Sequence, residues 1–212
     1  MKSYKSLLTL VIAAASFGSA KADQLIVDFT GNPINFTNGA WTLGFEFQVN
    51  SPVVVTGLAV YDQNQGGPLA ETQEAGLWND VGTLLTSTTI NAGTVATLGN
   101  GFFAAAPVAP LVLGTGDYIV GATSGSQNYT YDTTGFGSIP QITYLTDEYI
   151  SGGSLQEPTT SEGIGAGDGG AWFGGNVVVG AASAPDTCST WLLATIALAT
   201  LAALRRRVAA LV

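Results

Sequence analysis

The sequence contains no histidine, one cysteine and only six basic residues among its 212 amino acids. All the basic residues lie near the ends of the chain, at Lys2, Lys5, Lys21, Arg205, Arg206 and Arg207. The body between residues 23 and 184 therefore cannot form a Ser-His-Asp triad, a cysteine or lysine nucleophile, a histidine metal site or a cationic phosphate clamp. It also lacks the cations that nucleic-acid binding requires. No disulfide can form within the body, because the only cysteine, Cys188, lies beyond it.

The N-terminal residues 1–22 have the three-part pattern of a secretory signal peptide. Two lysines precede an apolar run at residues 7–17, and Ala20 and Ala22 are the small residues expected at a cleavage site. An apolar run this short does not span a bilayer core of about 30 Å. The pattern predicts a signal helix, export by Sec-type machinery and removal by signal peptidase.

The C-terminal region predicts a membrane-anchored precursor. Residues 189–204 are apolar apart from scattered serine and threonine, and Arg205, Arg206 and Arg207 follow at once. At about 1.5 Å per residue, a helix here reaches about 24 Å, which is marginal for a transmembrane span. Arginines prefer the cytoplasmic side, so the body would lie outside the inner membrane.

The segment before this helix resembles a bacterial protein-sorting signal. Its residues are Ala184, Pro185, Asp186, Thr187 and Cys188. Followed by an apolar helix and an arginine cluster, the motif is similar to the PEP-CTERM class of sorting tails, and most similar to its VPDSG-CTERM or VPDTG-CTERM variant. The resemblance implies processing by an exosortase-like membrane enzyme and delivery to the cell surface or extracellular matrix of a Gram-negative bacterium. The chain departs from the variant where Ala184 replaces valine and Cys188 replaces glycine.

The pattern of the body predicts short β-strands. In residues 41–49 large apolar side chains alternate with small or polar ones, which is typical of a strand with one buried face. Residues 52–61 form a β-branched run between turn residues. Further strands are predicted at residues 24–29, 75–78, 83–90, 111–113, 118–123, 128–131, 142–145 and 176–179. We expect an all-β domain over residues 23–182, an antiparallel β-sandwich or jelly roll, followed by a sorting tail at residues 183–212.

The body also resembles an uncharacterised ectodomain that often precedes such sorting tails. The resemblance rests on residues 45–62, 69–78, 82–85 and 158–174. It implies a sandwich fold and a surface location, and it supplies no activity.

Carboxylates are the remaining residues with catalytic potential. A glycosidase needs two of them, about 5 to 9 Å apart. Glu71 with Glu74 and Asp147 with Glu148 are the candidate pairs that lie close in sequence. Acidic residues on an exported protein commonly serve solubility, so we expect the chain not to be an enzyme.

Residues 62–67 are similar to the beginning of a calcium loop. Asp62 and Asn64 would be alternating oxygen ligands, and Glu71 is a candidate third ligand. However, the fifth loop position is Gly66, where calcium loops carry an acid or amide. An Asx-Gly turn between two strands explains the same residues, so both interpretations stay open. No other cofactor is expected.

Exposed aromatic rings would permit carbohydrate binding. Tyr129 and Tyr131 lie on one face of a predicted strand, and Trp172 lies in a glycine-rich segment, so these three form a candidate sugar platform. Trp41 and Trp78 are predicted to lie in the core. The leading hypothesis is a non-enzymatic surface or matrix protein. The alternatives are a module that binds extracellular polysaccharide and a glycoside-processing enzyme.

Overall fold

The computed structural model describes residues 23–31, 34–36, 38–127, 129–170 and 172–180. These residues form thirteen strands and two 3₁₀ turns. The strands are β1 Gln24–Leu25, β2 Val27–Asp28, β3 Ile34–Phe36, β4 Trp41–Val49, β5 Val53–Tyr61, β6 Gln73–Asn79, β7 Leu84–Ile90, β8 Phe103–Leu113, β9 Gly116–Thr123, β10 Tyr129–Tyr131, β11 Gly137–Ser138, β12 Ile142–Ser151 and β13 Gly175–Val179. The 3₁₀ turns are Gly99–Gly101 and Ala166–Asp168.

The fold is all-β, and all pairings between its strands are antiparallel, as the sequence predicts. A four-stranded sheet has the order β1-β13-β5-β8, and a five-stranded sheet has the order β12-β4-β9-β6-β7. Two small ribbons pair β3 with β10 and β2 with β11. The two large sheets share one hydrophobic core, which gives the domain a sandwich-like arrangement.

Strand β4 shows how the alternating pattern forms this core. Phe45, Phe47 and Val49 are buried in the core and face the four-stranded sheet. From the opposite sheet, Val55 and Leu58 of β5 are fully buried in the same cluster. Since side chains alternate along a strand, the even-numbered residues of β4 point to the outer face of the five-stranded sheet.

Several predicted strands differ from the observed ones in extent. The predicted strand at residues 111–113 is the end of the eleven-residue strand β8, whose start is rich in alanine and proline. Proline is tolerated there because β8 is an edge strand. The strand predicted at residues 142–145 continues to Ser151, after a register shift between Tyr144 and Thr146. Residues 24–29 form two short strands instead of one.

The outer face of the five-stranded sheet carries a row of glycines. Gly44, Gly121 and Gly76 lie directly opposite one another in β4, β9 and β6. A Cβ atom on Gly121 would lie 3.1 Å from Cγ of Pro158, and one on Gly76 would lie 2.5 Å from Cη2 of Trp78. The row therefore leaves room for two large side chains to lie flat on the sheet.

Residues 152–160, which we call the strap, run across this face. The Thr42 hydroxyl of β4 donates to the carbonyl of Ser154 at 3.4 Å and accepts from the N–H of Gln156 at 3.4 Å. Farther along the strap, Pro158 is buried over Gly121. Trp78 is buried as predicted, but it lies on this outer face instead of in the central core, because it shares its face with Gly76.

Glu148 is a buried carboxyl group on the same outer face. It lies opposite Gly44 and is 9% exposed, and its Oε2 atom has no hydrogen-bond partner among the described residues. The pKa of Glu148 is raised from 4.5 to about 7, chiefly by burial and in addition by the nearby carboxylates of Glu46, Asp147 and Glu157. The folded protein thus favours a protonated Glu148.

The predicted signal and transmembrane helices at residues 1–22 and 189–204 lie outside the described residues. Within the described part of the chain, no helix has the length and hydrophobicity needed to cross a bilayer.

We predict that Glu148 makes stability depend on pH. Its pKa is higher in the folded state, so its contribution is fully present below about pH 4.5 and is lost as the pH rises through about 7. Glu148→Gln removes the cost of ionisation and should raise the free energy of unfolding by about 1–3 kcal/mol at pH 8, with little change at pH 5. Urea unfolding at both pH values measures this difference.

Glu74→Gln is the matched control, because Glu74 is an exposed acid on the same sheet. An equal effect of Glu148→Gln at pH 5 and pH 8 would show that ionisation of Glu148 is not responsible.

Candidate ligand-binding site

Six aromatic side chains cluster at one end of the five-stranded sheet. They are Phe36, Trp41, Tyr129, Tyr131, Tyr149 and Trp172. The β3–β10 ribbon brings Phe36 opposite Tyr129, and their rings stack at 5.7 Å between centroids. Tyr131 lies 5.0 Å from Phe36 and 5.3 Å from Trp172. The structure therefore brings together all three residues of the predicted sugar platform.

Part of this cluster encloses a pocket of about 170 Å³. The lining residues are Asn38, Trp41, Leu43, Tyr129, Tyr149, Glu162 and Trp172. Trp41 and Leu43 lie on the inner face of β4, as the alternation predicts. However, neither residue belongs to the cluster that packs against the other sheet, and Trp41 is half-buried in the pocket wall instead of in the core.

The rings of the pocket meet nearly at right angles. Trp41 and Tyr149 are inclined by 80°, Tyr129 and Trp172 by 71°, and Tyr149 and Trp172 by 72°. Edge-to-face contacts of this kind are favourable, because the positive edge of one ring meets the negative face of another. The result is a box with aromatic walls, whereas the sequence predicts an open platform. Tyr131 packs behind Trp172 and does not line the pocket.

Asn38 fixes two of the aromatic walls. Its Oδ1 atom accepts hydrogen bonds from Nε1 of Trp41 at 3.0 Å and from the hydroxyl of Tyr129. Burial raises the pKa of Tyr129, and the Glu162 carboxylate also acts in this direction, while the bond to Asn38 opposes it. Tyr129 therefore stays a neutral hydrogen-bond donor at physiological pH.

Glu162 supplies the carboxylate of the pocket. Its Oε1 atom is 3.5 Å from the hydroxyl of Tyr149. Desolvation raises the pKa of Tyr149, and the carboxylates of Glu162 and Asp147 add to this effect. The phenols of the pocket therefore stay uncharged at neutral pH, and Glu162 is the acidic side chain beside them.

Asp147 holds the loop that carries Glu162. Asp147 is fully buried, and its carboxylate accepts from the N–H groups of Glu162 at 3.0 Å and Ile164 at 2.9 Å. The hydroxyl groups of Ser161 and Thr146 donate to the same carboxylate, both at 3.2 Å. The three donors from the loop, at Ser161, Glu162 and Ile164, therefore fix the backbone around Glu162 relative to β12. Asp147 is thus a positioning residue for the pocket.

Trp172 has an unusual backbone conformation. Its φ angle is +55°, which a residue with a bulky side chain rarely adopts, at a cost of about 1–3 kcal/mol. Its Nε1–H group is buried and has no hydrogen-bond partner among the described residues. Packing against Phe36, Tyr129 and Tyr131 holds the ring in place in spite of both costs. Strain of this kind is commonly found at binding sites.

The residues of the predicted calcium site have separate surroundings. Oδ1 of Asp62 accepts from the N–H of Asn64 at 2.9 Å, which is the hydrogen bond of an Asx turn. The carboxylate of Glu71 instead accepts from the N–H and hydroxyl groups of Ser126. The described residues contain no group of three or more acidic, cysteine or histidine side chains arranged to hold a metal ion. Oδ2 of Asp62 is buried without a hydrogen-bond partner in the described part, and calcium binding there stays a prediction.

Neither candidate pair of catalytic carboxylates forms a facing pair. Asp147 lies opposite Phe45 and Glu148 lies opposite Gly44, so their side chains point to opposite faces of the sheet. Glu71 is bound to Ser126, while Glu74 is exposed on β6.

A larger cavity of about 380 Å³ lies between residues 23–30 and the segment around residues 135–140. Asp23, the first described residue, forms part of its wall. The cavity has no aromatic cluster comparable to that of the smaller pocket, since Phe29 is its only aromatic lining residue. We therefore regard the smaller aromatic pocket as the candidate site.

The predicted sorting and processing residues lie outside the described residues. They are Ala20 and Ala22 at the signal cleavage site, Ala184, Pro185, Asp186 and Thr187 in the sorting motif, and Arg205, Arg206 and Arg207 at the cytoplasmic end.

The fold and the pocket define an all-β domain with an aromatic pocket. Residues 30–163 match the family model described as Domain of unknown function (DUF4082), and the chain belongs to this family. The matched region contains every lining residue of the pocket except Trp172. No curated protein and no solved structure matches the chain.

We predict that Asp62→Asn keeps the turn at residues 62–64, while Asp62→Ala destabilises the protein by about 1 kcal/mol. Asparagine retains the oxygen acceptor of the Asx turn and alanine does not. If calcium binds at this loop, it should raise the melting temperature of the wild type more than NaCl of equal ionic strength does. Asp62→Asn should then lose that difference. Identical melting curves of the wild type in the two salts would exclude calcium binding.

Proposed function

We propose that this chain is an exported, non-catalytic protein that binds carbohydrate in its aromatic pocket. The observation that carries the proposal is the enclosure of one pocket by Trp41, Tyr129, Tyr149 and Trp172. Binding sites for small molecules are typically concave and lined by apolar and aromatic side chains, with a few polar groups that fix orientation. Asn38 and Glu162 are such polar groups here.

The chemistry of a sugar suits these walls. The C–H faces of a pyranose ring are apolar and can stack on an aromatic side chain, while its hydroxyl groups bond to carboxylate, amide and phenol oxygens. The pocket volume of about 170 Å³ leaves room for about one sugar ring, so it would bind a chain end or a single residue of a polysaccharide.

Binding is favoured over hydrolysis because the pocket is lined by a single carboxylate. Both common mechanisms of glycoside hydrolysis require two carboxyl groups across the scissile bond. Glu162 is the acidic residue among the lining side chains. The neighbouring Asp147 accepts bonds from the loop backbone, and Glu148 points to the other face of the sheet.

Export and sorting complete the proposal. The N-terminal pattern supports transport by Sec-type machinery, and the resemblance of the tail supports recognition by an exosortase-like enzyme. The mature protein would then reach the cell surface or extracellular matrix, where polysaccharide is a natural partner. We also propose that the β-sandwich is of the jelly-roll type.

We predict that Trp41→Ala weakens binding of neutral oligosaccharides about tenfold or more, which corresponds to about 1.4 kcal/mol. Trp41→Phe keeps an aromatic wall and should retain most of the affinity. Isothermal titration calorimetry of the purified protein with a panel of neutral oligosaccharides measures both effects. Equal affinities of Trp41→Ala and the wild type would place the binding site elsewhere, and no binding to any saccharide would contradict the proposed function.

We predict that the mature protein in its native host lacks the residues beyond about Thr187. Replacing Pro185 and Asp186 with alanine should leave an unprocessed form bound to the inner membrane, because the sorting enzyme would no longer recognise the motif. Intact-mass analysis of the surface-released protein measures the position of cleavage. Recovery of a surface species that ends at Val212 would show that the tail is an ordinary anchor.

A further inference from the structure

We infer that the aromatic pocket selects glycans with a free, protonated amino group over neutral and uronate-containing glycans. This inference rests on the proposed function, since it names the class of sugar that the same pocket binds. Three observations carry it: the carboxylate of Glu162, the orientation of the aromatic walls and the absence of basic residues from the body.

The carboxylate of Glu162 has no positive partner in the body. Residues 23–184 contain no lysine, arginine or histidine. The polar contact of Glu162 in the pocket is the bond of 3.5 Å from the neutral hydroxyl of Tyr149. An ammonium group on the ligand would supply the missing charge and would form a charge-assisted hydrogen bond, which is stronger than a neutral one.

The aromatic walls also favour a cation. The face of an aromatic ring is negative, and it attracts an ammonium group within about 6 Å of the ring centre, most strongly for tryptophan. Trp41 and Trp172 both line the pocket, together with Tyr129 and Tyr149. Because the rings meet at 71–80°, a group inside the box approaches more than one ring.

The other side chains of the pocket carry no positive charge that could balance a ligand carboxylate. Oδ1 of Asn38 already accepts from Trp41 and Tyr129, which leaves Glu162 as the strong acceptor of the pocket. A uronate would place its own carboxylate beside Glu162 in a protein body of uniformly negative charge, and like charges at short distance repel. Neutral sugars are not repelled by Glu162 and form no ion pair with it, so their affinity should be intermediate.

The experiment compares three tetrasaccharides with the purified full-length protein at pH 6. The ligands are oligomers of glucosamine, N-acetylglucosamine and galacturonic acid, and calorimetry measures their affinities. We expect the glucosamine oligomer to bind about 5–10-fold more tightly than its acetylated counterpart, given the usual strength of cation–π contacts. The uronate should bind most weakly. At pH 8.5 the amino group loses its proton, and the preference should disappear.

Two charge-matched variants locate the effect. Glu162→Gln removes the carboxylate charge from the pocket. It should reduce the preference, measured as the ratio of the affinities for the glucosamine and N-acetylglucosamine oligomers, to the part that the aromatic rings supply. Glu74→Gln makes the same change of net charge on β6, at a residue that does not line the pocket, and should retain the preference. An equal loss in both variants would attribute the preference to the charge of the whole body and overturn the inference.

Other outcomes separate the inference from the proposed function. Binding of the neutral oligomer without a preference for glucosamine would overturn the inference alone, while binding of no saccharide would overturn both. Competition with tetramethylammonium chloride tests whether the pocket recognises the sugar ring in addition to the ammonium group. If it binds as tightly as the glucosamine oligomer, the pocket recognises an ammonium group and the choice of an amino sugar is wrong.

Discussion

The structure depends on where the carboxylates of an acidic body without basic residues find their hydrogen-bond donors. No lysine, arginine or histidine lies between residues 23 and 184, so a buried acid in this region cannot form an ion pair with a side chain of the body. The carboxylates of Asp147, Asp62 and Glu71 instead accept bonds from backbone N–H groups of nearby loops. Each of these acids therefore organises a loop. Glu148 shows the opposite case, because its buried Oε2 has no donor and its pKa rises to about 7.

The position of the pocket follows from this use of carboxylates and from the length of β4. Phe45 and Phe47 of β4 belong to the shared core, whereas Trp41 at the start of the strand extends to the aromatic cluster. Asp147 then draws the loop with Glu162 towards β12, next to Tyr149. The outer face is closed separately, because the glycine row allows Pro158 and Trp78 to pack against the sheet. The pocket and the strap thus lie on opposite faces of the five-stranded sheet, and the strap can pack without filling the pocket.

The sequence predicted the features that depend on local pattern. Alternation identified β4 and the face on which Trp41 lies, and the spacing of Tyr129 and Tyr131 identified a shared face of β10. It did not predict the extent of β8, since alanine and proline disfavour a strand and only an edge position in the sheet makes them acceptable. It also missed Asn38, Tyr149 and Glu162 as pocket residues. Their proximity depends on strand pairing and on the contacts of Asp147, which connect residues far apart in the chain. The absence of basic residues from the body indicated that its carboxylates bond to backbone N–H groups, but it did not indicate which loops supply those groups.

The surroundings of each carboxylate limit what the pocket can do. A second acid facing Glu162 would permit acid–base chemistry, and Asp147 is close to it in the fold. However, the carboxylate of Asp147 accepts from two N–H groups and two hydroxyl groups, and releasing it would remove the support of the loop that carries Glu162. The hydrogen bonds that position Glu162 at the pocket thus also keep the carboxylate of Asp147 occupied with the loop. This arrangement of the two carboxylates therefore supports the proposal of binding without turnover.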